Sequence, residues 1–424
     1  MTSELILVTG ATGYIASRLI PRLLASGYRV RAMARDPQKL SARKWARDVE
    51  LIPGDVTRAE TLPAAVQDIH TAYYLIHNMS SGHGYTEIEI EAAQNFASAA
   101  EAAGVQHIIY LGGLADPEGD IAPHMRSRIE TGEVLRRGKI PVTEFRAGVI
   151  IGPGSISFEM IRFMTEQFPV LPGPGWLKNK SQPIAIQNIL DYLIAALENK
   201  NGRGKIFEIG GPDIKVYSDL MQAYARQRKL RRLLFTIPGI PVWLMAFFVD
   251  RLSPIPYPIA YALIGGLQSD SMVRDNEAQK IFSSVKLIGF DDALETSLAQ
   301  LHPDQLEPIW KDGAPRITII RHEGFFIDHR SILADHFPKE RILKSIEKYF
   351  STYAVEDSSP DRILLRSETF GTRWIEWRLE RNSKRPAISQ TFFYAPRGLP
   401  GFLHWHLNPF RQFLLRSIFR KITG

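Results

Sequence analysis

Nine residues near the start of the chain, Val8-Thr9-Gly10-Ala11-Thr12-Gly13-Tyr14-Ile15-Ala16, leave it few folds to choose from. They lie between an apolar run, Leu5-Ile6-Leu7-Val8, and a segment with apolar residues at helical spacing, Ile15, Leu19, Leu23 and Leu24, that stops at Gly27. Glycines at a strand-to-helix junction each have a physical role. Gly10 permits a tight turn, Gly13 lets backbone approach a pyrophosphate, and Ala16 allows close packing of helix on strand. The helix start offers unpaired N–H groups and a positive dipole end to phosphates. The junction reads as a dinucleotide site.

The pattern continues as repeated strand and helix. Apolar runs at 28–34, 49–52, 72–76, 107–111 and 142–151 read as strands, and 15–26, 85–103 and 126–137 read as helices. This is the sequence form of an α/β fold, a doubly wound parallel Rossmann sheet. Past Gly152 the rhythm loosens into a helix at 158–167, a Pro/Gly-rich stretch at 169–175 and one more strand at 205–209. The apolar, proline-rich region 233–266 reads first as core packing, with cover for a substrate cleft or contact with a membrane surface as the other uses. From about His302 the composition changes. Strands are expected at 362–369, 373–380 and 387–394; in the middle one Ile375, Trp377 and Leu379 alternate with Glu376, Arg378 and Glu380. An apolar and basic helix at 402–422 follows. The domain reading is residues 1–300 for the nucleotide-binding unit, with an irregular substrate side at 150–300, and residues 301–424 for a small α+β unit.

The nature of the nucleotide is decided at the end of the second strand, Met33-Ala34-Arg35-Asp36. NAD sites usually place a carboxylate there for the ribose hydroxyls, whereas an arginine can grip a 2′-phosphate. Arg35 therefore points to NADP(H), and Asp36 keeps NAD(H) as the less favoured option. Asp55 and Val56 close the third strand, where a carboxylate meets the adenine amino group or caps a turn. The expected nucleotide contacts are Gly10, Thr12, Gly13, Tyr14, Ile15, Arg35, Asp55, Val56, Ile76 and His77.

Composition closes off several classes. The 424 residues include no cysteine, which excludes disulfides, thiolate metal sites and a cysteine nucleophile and fits a reducing cytoplasm. The formal net charge is +7, but Lys and Arg are spread along the chain without interleaved aromatics, so no nucleic-acid partner is expected. A basic surface suits a phosphorylated cofactor or an anionic lipid. The first residues lack a secretory pattern, and the reading is a cytoplasmic protein with peripheral membrane contact through 233–249 and the basic end 411–421. No metal site is expected. His404 and His406 fall on different faces of a helix, and the spacing of His322, His329 and His336 reads as coincidence.

The opening Thr-Gly-Ala-Thr-Gly-Tyr-Ile, Ala34-Arg35-Asp36-Pro37, Gly54-Asp55-Val56, His107 to Leu111, Thr143 to Ala147 and Phe207 to Pro212 resemble the atypical, NmrA-like branch of the short-chain dehydrogenase/reductase superfamily. The C-terminal part, mainly Phe392 to Arg397 and the helix after Pro400, is similar to the START-like, helix-grip domain found after such reductases in bacteria, in a truncated form. The resemblance implies a tyrosine, a lysine four residues later and an upstream serine or threonine that together move a proton at a carbonyl. Here the upstream position, Leu111-Gly112-Gly113, has no serine, His124 stands for the tyrosine and Arg128 for the lysine. Histidine can shuttle a proton near neutral pH, but arginine stays protonated and can only bind. His77 and Tyr85 are further candidates. Two functions follow: an NADP(H)-dependent oxidoreductase acting on a small hydrophobic or quinone-like carbonyl substrate, or a non-catalytic NADP(H)-binding regulatory, redox-sensing or assembly protein.

Overall fold

The computed structural model describes residues 4–77, 85–253, 255–307, 316–334, 336–368, 371–380, 386–398, 401 and 417–421. Seven parallel strands form the first sheet: β1 (Leu5–Val8), β2 (Arg29–Ala34), β3 (Glu50–Pro53), β4 (Thr71–Tyr74), β5 (His107–Gly113), β6 (Val142–Ala147) and β7 (Ile206–Ile209). Their order is β7-β6-β5-β4-β1-β2-β3. The winding reverses between β1 and β4, which opens a crevice beyond their carboxyl ends.

Strands β1, β4, β5 and β6 are buried along their whole length; β1 and most of β5 read as continuous apolar runs, while β6 buries Thr143, Glu144 and Arg146 as well. Successive residues still face opposite sides. Ile6 and Val8 pack with Leu19 and Leu23 of α1 (Tyr14–Ala25), while Leu5 and Leu7 pack with Ala92 and Phe96 of α2 (Tyr85–Ala102). The expected strand 142–151 divides in two. Its end, Ile150–Ile151, leaves the sheet past Gly148 and pairs with Ile184–Ala185. The fourth strand ends at Tyr74, two residues earlier than its apolar run.

Helix α3 (Pro123–Arg136) follows β5, and beyond β6 the substrate side is largely helical: α4 (Ile156–Gln167), α5 (Ile186–Glu198), α6 (Tyr217–Gln227), α7 (Val242–Leu252) and α8 (Tyr257–Gly266). Phe158, Ile161, Leu220, Tyr224, Val249 and Ile264 from α4 and α6–α8 share one core. The Pro/Gly-rich stretch is not a loop: Val170–Pro174 pairs in parallel with Leu233–Ile237. Among the described residues, no helix is long and apolar enough to cross a membrane.

A second, antiparallel sheet of six strands closes the chain. In chain order these are β8 (Arg316–His322), β9 (Phe325–Leu333), β10 (Ala354–Ser359), β11 (Arg362–Ser367), β12 (Gly371–Glu380) and β13 (Ala387–Pro396), arranged β8-β9-β13-β12-β11-β10. Three of them were not marked in the sequence. Helix α9 (Lys339–Tyr349) covers one face with Ile342 and Ile346 against Ile363, Ile375 and Trp377. Of the expected terminal helix, 417–421 are described as helical; 402–416 and 422 lie outside the described residues.

The two sheets meet through buried contacts. Phe163 of α4 packs edge-on to Phe326 of β9, with ring centroids 6.0 Å apart. Arg18 of α1 donates to Glu323 Oε1 at 2.9 Å and to the Pro153 carbonyl at 3.1 Å. Arg43 pairs with Glu307 at 3.0 Å.

Candidate cofactor and substrate site

The glycine turn forms as its residues demand. Gly10 has φ +62°, and a Cβ there would lie 2.9 Å from the Leu75 carbonyl oxygen. Thr9 Oγ1 donates to the Tyr73 carbonyl at 2.9 Å and accepts from the Leu75 N–H at 3.1 Å, which ties the turn to β4. Helix α1 starts after Gly13 with no side-chain cap and no acidic residue in its first turn. Its N–H groups and dipole are thus left for an outside anion.

A cleft of about 170 Å³ lies over this turn, lined by Gly10, Thr12, Gly13, Met33 to Arg35, Gly54 to Thr57 and Leu75 to His77. It gathers eight of the ten expected nucleotide contacts: Gly10, Thr12, Gly13, Arg35, Asp55, Val56, Ile76 and His77. Tyr14 and Ile15 are not brought to it. The Tyr14 ring lies under Arg18, 4.0 Å from guanidinium carbon to centroid, with its hydroxyl buried against Gly152, and Ile15 packs on the α1 core. Burial raises the Tyr14 phenol well above its ordinary pKa. These two can offer the cleft only backbone.

At the end of β2 the adjacent arginine and aspartate divide their work. Asp36 Oδ1 accepts from the Gln38 N–H at 3.0 Å and caps the turn Pro37–Lys39. Arg35 is exposed at the cleft and has no ion pair among the described residues. Asp55 caps a turn as well, accepting from the Thr57 N–H at 3.1 Å and hydroxyl at 2.8 Å, while its side chain borders the cleft.

Beyond the cleft, His124 and Arg128 lie one turn apart on α3. His124 is 5% exposed and lines a second, largely apolar pocket of about 90 Å³ with Met125, Val149, Met160, Tyr217, Leu263 and Gly266. Its ring packs on Gly266, where an added Cβ would fall 2.8 Å from Cε1. Among the described residues it makes no hydrogen bond. Burial pushes its pKa down to about 4, helped by His77 and the Arg128 charge. Arg128 is anchored by donating to the Leu111 carbonyl, and its guanidinium lies 5.5 Å from the Tyr110 ring centroid.

Sequence reasoning missed a carboxylate that links Ser127 of α3 to His77. Glu89 accepts from Ser127 Oγ, and its other oxygen lies 2.8 Å from His77 Nδ1. Its neighbours Glu87 and Glu91 are exposed and Glu89 is buried, a difference that only packing reveals. Burial, then Arg128, lowers the His77 pKa, and Glu89 opposes them. The missing serine is a filled space: a Cβ on Gly113 would meet Met125 Cε at 2.7 Å. Tyr85 begins α2, but its side chain lies outside the described residues. His322 and His329 lie on adjacent strands, at the Glu307 carbonyl (3.0 Å) and Thr391 Oγ1 (2.9 Å), while His404 and His406 lie outside the described residues. No group of residues suited to a metal ion occurs among the described residues.

Residues 2–212 match the NmrA-like family. The photosystem II assembly factor Ycf39 of Trieres chinensis is 25% identical over 306 residues, which covers 69% of this chain and 90% of that protein. A 3β-hydroxysteroid dehydrogenase/Δ5→4-isomerase of Mycobacterium tuberculosis is 31% identical over 122 residues, but only 32% of its length is spanned. Among solved structures, the NADP(H) complex of Citrobacter sp. triphenylmethane reductase covers 69% of this chain and 99% of its own, with a TM-score of 0.57 at 20% identity. The NADPH-dependent quinone oxidoreductase of Escherichia coli covers the same shares at 0.56 and 18%. These likenesses establish the fold.

Proposed function

We propose that this chain, whose residues 2–212 match the NmrA-like family, binds NADP(H) and acts as an oxidoreductase on a small hydrophobic or quinone-like carbonyl compound. The observation that carries the cofactor reading is the division of labour at the end of β2. Asp36 is committed to its own turn, while Arg35, with no ion pair among the described residues, stands at the cleft with donors for a 2′-phosphate. The uncapped start of α1 receives the pyrophosphate, and Asp55 and Val56 border the adenine. The solved NADP(H)- and NADPH-bound reductases of the same fold support this reading.

A bound NADPH supplies hydride. The chain's own part is to hold the acceptor and polarise its oxygen, and the proton that completes the reduction comes from water. With a pKa near 4, His124 is neutral at pH 7, so it can donate an N–H to a carbonyl oxygen in the apolar pocket but is a weak proton source. Arg128 stays charged and fixed, and its field favours negative charge building on that oxygen. The chain Ser127–Glu89–His77 orients His77 at the border of the nucleotide cleft. We read the C-terminal sheet with its helix as a shortened START-like, helix-grip unit and place the protein in the cytoplasm.

The test is a titration with NADPH and NADH on the protein and on Arg35→Ala. Loss of one charge-assisted contact costs about 1.5–3 kcal/mol, ten-fold or more in NADPH affinity, with NADH unchanged. Equal binding of both nucleotides by the two proteins refutes the assignment. The absence of the tyrosine–lysine pair keeps a second reading in view, a protein that holds NADP(H) as a regulatory or assembly ligand without turnover. NADPH consumption above background with any of a panel of quinones and aldehydes excludes it.

A further inference from the structure

One stretch of surface departs from the rest of the molecule. The strand Leu233–Ile237 turns Leu233, Phe235 and Ile237 outward, with Leu233 62% exposed. Val170, its parallel neighbour on the paired strand, is exposed beside it. Helix α7 presents Trp243, 57% exposed, with Phe247 one turn on and Phe248 next to it. Helix α8, packed on α7, presents Tyr257 and Tyr261, whose rings lie 6.0 Å apart. Residues 233–261 thus carry eight of the sixteen exposed large apolar side chains among the described residues.

These exposures do not come from poor packing. The opposite sides of the same helices are buried: Ala246, Val249 and Leu252 of α7, and Ala260 and Ile264 of α8. Both helices are therefore held in place while a second apolar face is left to solvent. Apolar exposure concentrated in this way in one segment of a folded domain marks a docking surface.

Charge decides the occupant. Between residues 226 and 266 there are six Lys or Arg and one acidic residue, Asp250; Arg228 pairs with Glu166 and Arg232 donates to the Thr165 and Glu166 carbonyls, which leaves Arg226, Lys229, Arg231 and Arg251 to the surface. Arg226, Lys229 and Arg231 lie just ahead of the exposed strand and are themselves exposed, and Arg251 sits over the Phe247 ring at 5.2 Å. A second copy docking by two-fold symmetry would set this positive segment against itself. An anionic bilayer offers both complements, acyl chains for the apolar face and headgroups for the basic rim, and Trp and Tyr are the side chains enriched at that boundary. We infer that residues 226–261 form a membrane-docking surface that seats the protein on an anionic bilayer without crossing it.

The position of the patch gives it a consequence. Leu263 and Gly266 of α8 line the apolar pocket beside His124, while Tyr257 and Tyr261 of the same helix face outward. Docking brings that pocket next to the lipid phase, where a lipophilic acceptor dissolves. The docking inference does not depend on the nucleotide reading.

The test is co-sedimentation of the full chain, at low salt, with vesicles of phosphatidylcholine alone and of phosphatidylcholine mixed with phosphatidylserine. Binding is expected to the mixed vesicles only. At about five-fold per basic residue, Arg226→Glu with Lys229→Glu and Arg231→Glu should weaken it well over ten-fold. Phe247→Ser with Phe248→Ser should do the same while leaving the melting temperature unchanged, since both side chains are exposed. Tryptophan quenching by brominated lipid should fall in Trp243→Phe while sedimentation persists. Failure to sediment with either vesicle, or quenching that Trp243→Phe leaves intact, overturns the inference. So does a dimer of the unaltered protein that the double serine variant dissociates, or a preference for an acidic protein over the mixed vesicles.

Discussion

The buried, neutral state of His124 has a measurable effect on acid stability. An unfolded histidine titrates near pH 6.5, and burial holds the folded His124 near 4. At pH 7 the ring is neutral in the folded protein and mostly neutral in the unfolded chain, so it contributes almost nothing. As pH falls below 6.5 the unfolded chain takes up a proton that the folded protein refuses, so stability is lost progressively between pH 6.5 and 4. The size follows from the shift of about 2.5 units at 1.36 kcal/mol each: about 2 kcal/mol is lost by pH 5 and about 3 kcal/mol by pH 4. His124→Gln removes the titrating group and keeps a polar side chain of similar reach. Urea unfolding of both proteins at pH 7 and pH 5 reads the difference, with the Hε1 resonance of His124 followed by NMR as the direct check. The variant should lose about 2 kcal/mol less than the unaltered protein on going to pH 5. If the two pH profiles run parallel, or the resonance titrates near 6.5, the neutral histidine proposed for the substrate pocket is wrong. His107, buried on β5 and held near 4 by burial, adds a similar acid sensitivity to both proteins and cancels in the comparison.

Other expectations are as concrete. Gly10→Ala puts a Cβ on a left-handed residue, a strain of about 1–2 kcal/mol, and presses it on the Leu75 carbonyl, so NADPH affinity should fall together with the melting temperature. Retained affinity in a thermal-shift titration would mean the turn has another form. Arg18→Ala strands the mostly buried Glu323 and cuts a tie between the two sheets, at a cost on the order of 3 kcal/mol. Limited proteolysis should then release the C-terminal unit sooner than in the unaltered protein, and an unchanged cleavage rate would show that the remaining ties, Phe163 with Phe326 and Arg43 with Glu307 among them, suffice to hold it.

Much of the first sheet was legible because a parallel strand buried on both faces leaves an unmistakable apolar run, and its crossover helix follows at once. The reading failed where that physics does not hold. Strand β9, Phe325–Leu333, buries Asp328, His329 and Arg330 within the second sheet, so neither alternation nor an apolar run marks it. Strand β10 is a largely exposed edge of Ala-Val-Glu-Asp-Ser-Ser. The strand at 170–174 carries two prolines and a glycine and stands only because Leu233–Ile237 pairs with it. In the site, the glycine turn and Arg35 were readable from local chemistry. Asp36 was not, because a capping bond to Gln38 two residues on leaves no mark on composition. Glu89 was hidden among three glutamates at alternate positions of one helix.

Gly113, His124 and Arg128, the positions where the resemblance implies serine, tyrosine and lysine, pack as a set, and that bears on what kind of site this is. A decayed site would keep the old shape with gaps in it. Here Met125 occupies the space a serine at 113 would need, and Gly113 lets β5 run close under α3. The His124 ring takes its place against Gly266, a position where any side chain would collide with it. Arg128 is tied to the Leu111 carbonyl, and the next residue back, Ser127, is tied to Glu89 and through it to His77. Each substitution is matched by a neighbour on a different element, so restoring one familiar residue alone would not restore the familiar chemistry. Gly113→Ser would have to displace Met125 into the pocket, and His124→Tyr would have to find room over Gly266. His124 lines the pocket as a neutral imidazole, while the Arg128 guanidinium is held one turn away against the Leu111 carbonyl and the Tyr110 ring.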